Sequence, residues 1–227
     1  MGDSMIKGND EIIKNNKETY EIFDNKKRLI NIVIIAVLAA LAISLSYVFS
    51  ALPNIEVMSF LIFISGFLYG TLVGTGVGFM APLIYYGWNP YGPADIPTYL
   101  TCVICMAFFG IVGGLLKPNL KNKGNNNNSY NKSSNNGYNN SNGKILYSKW
   151  NILKFGIIGI ALTLQFDFIT NLIIAYMWYG GNILAPYLNP WTFIFLIIHI
   201  VSNTIIFALL TIPVYNSIRR VKKLNTF

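Results

Sequence analysis

Charge is scarce in this chain. Only 11% of its 227 residues are Asp, Glu, Lys or Arg, against a hydrophobic share of 53%, whereas about a quarter of an ordinary soluble domain is charged. That shortage excludes a soluble fold of usual composition, and a mean hydropathy of +0.47 points to an integral membrane protein. Cysteine is nearly missing too. Cys102 and Cys105 both fall inside an apolar run, so no disulfide framework is indicated. A lone C-x-x-C without further ligands or an accessible redox fold reads as small packing residues. No G-x-x-x-x-G-K-[ST] phosphate loop occurs, so the chain has no ATP-hydrolysing site of its own. We expect neither a metal nor a cofactor.

Cations are absent from two long stretches. All 17 Lys and Arg lie in residues 7–28, 117–154 and 219–223, with none in 29–116 or 155–218. A net charge of +8 could suit nucleic acid, but no DNA- or RNA-reading motif accompanies it. The distribution is the one the positive-inside rule produces, with basic loops on the cytoplasmic side of a bilayer.

Turning to what is present, residues 29–52, 97–116, 150–179 and 190–215 are apolar segments long enough to span a membrane. Residues 57–86 read as one long helix or two short ones, and charge decides between them. One span would put 11 of the 17 cations outside, whereas a hairpin turning near Gly70–Thr71 keeps all of them inside. The expected fold is therefore all-α, with six transmembrane helices and both termini cytoplasmic in a multi-pass protein of the cell membrane. Its short hairpin arms are tolerable if Gly66, Gly70, Gly74, Gly76 and Gly78 allow close packing. Residues 26–51 compete as a signal peptide, but their apolar core exceeds the usual length, which favours an uncleaved first helix.

The expected organisation is a loose or helical cytoplasmic tail at 1–25, helices one to four in 26–116, and helices five and six in 150–218. A basic cytoplasmic tail follows at 219–227. Between the two membrane parts, the Asn, Ser, Gly and Lys tract at 117–149 is too polar to bury a core and reads as a disordered cytoplasmic linker.

Six spans leave three external connections. ALPNIEV offers Asn54 and Glu56, and GGNILAPYLNP offers Asn182, Tyr187 and Asn189. GWNPYGPADIP carries Trp88, Asn89, Tyr91 and Asp95, and its three prolines and two glycines make it a stiff cap suited to substrate gating. Tyr85, Tyr86, Trp178, Tyr179 and Trp191 read as the aromatic belt at the membrane surface. Polar residues also lie within the last two spans: Asp167 and Asn171 in one, His199 and Asn203, flanked by Ser202, in the other. Each pair is four residues apart and so shares a helix face. Polar groups in lipid need partners, so these pairs should point into the bundle. The two spans should be antiparallel neighbours with the Asp167 carboxylate facing Asn203 or His199, either as an interhelical lock or as the wall of a binding cavity.

Together these features resemble the substrate-binding (S) component of an energy-coupling factor transporter. The resemblance rests on the six-span layout, PNIEVMSFLIFISGFLYGTLVGTGVGF after the first helix, WNPYG in the second external loop, QFDFITNL in the fifth span and HIVSNTIIFALL in the sixth. It implies capture of a vitamin or related micronutrient at the outer face and delivery with a transmembrane coupling subunit and two ATPase subunits. Ala36 and Ala40 match the family's A-x-x-x-A patch for the coupling subunit. Against the family's nickel and cobalt branch, the chain begins Met1-Gly2 and holds only His199.

A solitary or secondary permease is the alternative. An enzyme is disfavoured, since Glu56, Asp95 and Asp167 are scattered over three elements without a nucleophile–base constellation. The expected ligand site comprises Asn54, Glu56, Trp88, Asn89, Tyr91, Asp95, Asp167, Asn171, His199 and Asn203. With acids and aromatics but no Lys or Arg in its outer half, it suits a neutral or cationic ring-containing ligand.

Overall fold

A computed structural model describes residues 2–52, 55–90, 92, 94–118 and 148–224, with side chains placed from residue 21 to residue 220. Among the described residues the regular structure is entirely helical: α1 (Gly2–Phe49), α2 (Val57–Tyr69), α3 (Thr71–Gly87), α4 (Ile96–Leu115), α5 (Lys149–Trp178), the short α6 (Ala185–Leu188) and α7 (Pro190–Leu224). Four helical stretches are long and apolar enough to cross a membrane: 21–49 within α1, all of α4 and α5, and 190–220 within α7. Helix α1 also takes in the expected N-terminal tail, and α7 runs past residue 218 into the basic tail. Most of the Asn-rich linker lies outside the described residues.

The segment over 57–86 breaks where the charge pattern predicts. Gly70 has φ +105° and ends α2 with its N–H donated to the Gly66 carbonyl at 2.7 Å. That backbone conformation suits glycine and strains any other residue. Helices α2 and α3 then fold back on each other antiparallel, Gly74 against Gly66 and Gly78 against Ile62. Their 13 and 17 residues reach about 20 and 26 Å at 1.5 Å per residue.

Helix α2 is the centre of the molecule, with nine of its 13 residues buried. One face meets α3 and α4 through glycine: a methyl on Gly66 or Gly74 would overlap the Gly110 carbonyl, and one on Gly110 the Gly74 carbonyl. The other presents Phe60, Phe63 and Phe67. Phe60 and Phe63 pack on Phe207 of α7, with ring centroids 5.6 and 5.0 Å apart, and Phe67 packs on Phe155 of α5 at 5.5 Å. These offset and edge-on contacts are the favoured geometry for aromatic pairs.

Candidate functional site

Helices α5 and α7 run antiparallel in a regular register, with Gly159 against Phe207, Thr163 with Asn203, and Asp167 with His199. Each step is four residues on both helices, about one turn. The Asn203 amide donates to Thr163 Oγ1 at 2.9 Å, and His199 Nδ1 lies 2.9 Å from Asp167 Oδ1. The start of α2 extends both polar rungs. Ser59 Oγ is 3.3 Å from Asn203 Oδ1, and Glu56 Oε2 is 3.5 Å from His199 Nε2. The outer rung is thus Asp167–His199–Glu56, and the Tyr86 hydroxyl of α3 continues it by donating to Glu56 Oε1 at 3.1 Å.

The two rungs differ in how well they are satisfied. Thr163 and Asn203 are fully buried and bonded to each other. In the outer rung Glu56 Oε2, Asp167 Oδ2 and His199 Nε2 are buried without a hydrogen-bond partner among the described residues. His199 is 2% exposed, and the Phe166 ring stands edge-on to it at 5.9 Å. Tyr187 of α6 closes over this end, where burial and then the Asp167 carboxylate push its phenol above the ordinary value.

Above Glu56 lies a cavity of about 470 Å³, walled by Phe49, Met58, Tyr85, Tyr86 and Phe195, with Ser46, Ser50 and Asn89 among its polar groups. A volume of several hundred Å³ with apolar walls and a few polar groups is typical of small-molecule sites. Its α1 side is tied to the α3–α4 connection, because Tyr47 donates to the Trp88 carbonyl at 2.6 Å and packs edge-on to Tyr85.

Glu56, Asp167, His199 and Asn203 are therefore brought together, and Asn89 joins the cavity. Three others stand apart. Asn171 folds back onto the Asp167 backbone carbonyl of its own helix. Asp95 caps α4 by accepting from the Thr98 N–H at 3.0 Å, and the Trp88 side chain is exposed. Asn54 and Tyr91 lie outside the described residues. Sequence reasoning passed over Ser59, Thr163 and Tyr86. Their signal was helical spacing: Thr163 stands one turn from Asp167, and Ser59 three residues from Glu56. Tyr85 and Tyr86 line the cavity, while Trp178, Tyr179 and Trp191 are exposed.

Glu56 and Asp167, distant in sequence, meet around one imidazole, yet both ring nitrogens face carboxylate oxygens. The carboxylates also sit at opposite edges of the ring, so they do not converge on one point, and no metal-holding group of His, Cys, Asp and Glu occurs among the described residues. Cys102 and Cys105 are buried and unlinked.

A family model described as "ECF transporter, substrate-specific component" matches residues 30–218. Neither a curated protein nor a solved structure matches the chain.

Proposed function

The chain belongs to the substrate-specific components of ECF transporters, and from that premise we propose that it captures a small vitamin-like micronutrient in the cleft above Glu56. The observation that carries this reading is the cleft itself, an aromatic-walled cavity with a buried polar rung beneath it. In this reading the chain crosses the plasma membrane six times, with both termini cytoplasmic and the cleft facing outward. The absence of cations from 29–116 and 155–218 supports that orientation. Single cysteines at Gly92 and Ser217, in a background lacking Cys102 and Cys105, test it. An impermeant thiol reagent applied outside should label position 92 and spare 217, and labelling at 217 would rule the topology out.

Delivery requires partners, because the chain has no phosphate loop. We assign the contact with a transmembrane coupling subunit, itself bound to two ATPases, to Ala36 and Ala40. Both are exposed on α1 and line an apolar groove of about 370 Å³ with Ile35, Ala39, Met80 and Ile84. Small residues there permit close helix approach within lipid. The test is co-purification of coupling and ATPase subunits with the tagged chain. Ala36→Trp or Ala40→Trp should abolish co-purification and uptake while the isolated chain holds its ligand unchanged. Ligand retention falling as far as uptake would make the groove internal packing.

A further inference from the structure

We propose that the ligand of this cleft carries a positively charged nitrogen seated on Glu56, with His199 and Asp167 behind it and out of contact with the ligand. This deepens the capture reading and rests on it.

The first observation is the balance of acidic and basic groups. The two ring nitrogens of His199 face Asp167 Oδ1 at 2.9 Å and Glu56 Oε2 at 3.5 Å, so the rung holds two carboxyl groups for one basic group. Residues 29–116 and 155–218 contain no Lys or Arg. Among the described residues the other titratable groups in reach are Tyr85 and Tyr86 of α3, Cys102 of α4 and Tyr187 of α6, and each of these ionises to an anion.

The second observation is how the rung meets the cavity. Glu56 lines the cavity, whereas Asp167 and His199 do not. The Tyr86 hydroxyl donates to Glu56 Oε1 at 3.1 Å, while Oε2 is buried on the side of His199 Nε2, 3.5 Å away. The floor of the cleft is thus a carboxyl group whose Oε1 has taken one donor and can accept a second. Charge-assisted hydrogen bonds to such a group are the strong ones. The surrounding rings of Phe49, Tyr85, Tyr86 and Phe195 suit a cation further, through their negative faces. A cationic ligand would be attracted to the Glu56 carboxylate, whereas an anionic one would bring like charges together.

The test passes the small-molecule fraction of yeast extract over the immobilised full-length chain in detergent at pH 7 and identifies retained compounds by mass spectrometry. Retained compounds should carry a protonated or quaternary nitrogen, and Glu56→Gln should lower retention by about tenfold or more, equivalent to roughly 1.4 kcal/mol. Tyr86→Phe keeps the carboxylate and should keep the preference for cations with weaker retention. Neutral or anionic retained compounds would overturn the inference while leaving capture intact. So would a Glu56→Gln protein with unchanged melting temperature that retains as wild type does. A wild-type chain that retains nothing removes capture and inference together. Should Glu56→Gln not fold, the charge of what the wild type retains still decides.

Discussion

Helices α2, α3 and α4 meet because nothing stands between them, whereas α5 and α7 meet through polar side chains. In the first region Gly66, Gly74 and Gly110 bring backbones into direct contact. In the second, Thr163–Asn203 and Asp167–His199 join the helices. Lipid tails are as apolar as leucine, so helices in a bilayer associate by close packing or by hydrogen bonds. This chain uses one device on each side of α2. The glycine contact admits no variation, which suits a scaffold. The polar contact leaves three buried atoms of its outer rung without hydrogen bonds beside an open cavity, which suits a site. Glu56 stands where the two regions join.

The harshest way to break this comparison is to add volume to each region. Gly110→Leu drives a side chain into the Gly74 backbone. The helices must separate, so the variant should give no monodisperse protein on size exclusion in detergent. Gly156 in α5 is the control, since an added Cβ there would meet Ala208 Cβ at 3.5 Å and Thr204 Cγ2 at 3.6 Å, which is ordinary contact. Gly156→Ala should change stability by less than about 0.5 kcal/mol. Equal damage from both would erase the distinction between the regions.

The next effect is on binding. Asp167→Asn keeps an oxygen for His199 Nδ1 but removes the acid, leaving Glu56 as the one carboxyl group of the outer rung. Retention of a cationic ligand should fall about tenfold, near 1.4 kcal/mol, in a protein that still folds. Asp167→Ala also strips the acceptor from a buried ring nitrogen, which costs about 1–3 kcal/mol more and should lower the melting temperature. Unchanged binding in a folded Asn variant would make Asp167 a structural lock alone.

The two regions were not equally legible in the sequence. The break at Gly70 could be foreseen because charge counting and a glycine-rich run agreed on it. The polar content of the last two spans was equally plain, since Asp167 and His199 stand out against apolar neighbours. Their pairing was legible in part. Antiparallel neighbours were expected to turn Asp167 toward Asn203 or His199, and the register selects His199 and gives Asn203 to Thr163. Asn171, at the edge of that face, bonds its own helix instead. Glu56 joins through tertiary packing of α2, which no local pattern encodes. Ser59 and Thr163 were missed because hydroxyls are common in apolar helices and can bond their own backbone.

Tyr86→Phe acts at the junction of the regions and should have a smaller effect. It removes the hydroxyl that holds Glu56 Oε1 and leaves the ring in the cavity wall. One neutral-to-charged hydrogen bond contributes about 1.5–3 kcal/mol at most, and part returns as the freed oxygen becomes available to ligand. We expect retention to fall about threefold, near 0.6 kcal/mol, with the melting temperature little changed. A loss as deep as that of Glu56→Gln would make the phenol a direct ligand contact.

The smallest effect should come from the inner rung, and it separates lock from site within a single pair of helices. Thr163 is fully buried, and its Oγ1 accepts from Asn203 at 2.9 Å. Thr163→Val keeps the branched shape and removes that acceptor. Interhelical hydrogen bonds within membranes contribute about 0.6 kcal/mol on average and about 1.7 at most, so stability should fall by about that much. Unfolding in mixed micelles can measure it. The rung carries no charge, and neither Thr163 nor Asn203 lines the cavity, so ligand retention should stay within about twofold of wild type, near 0.4 kcal/mol. Asp167→Asn should show the reverse, a binding loss exceeding its stability loss. That opposition is what a division of labour between neighbouring rungs requires. If Thr163→Val lowers retention as far as Asp167→Asn does, the two rungs act as one unit and the site extends a full turn deeper into the bundle.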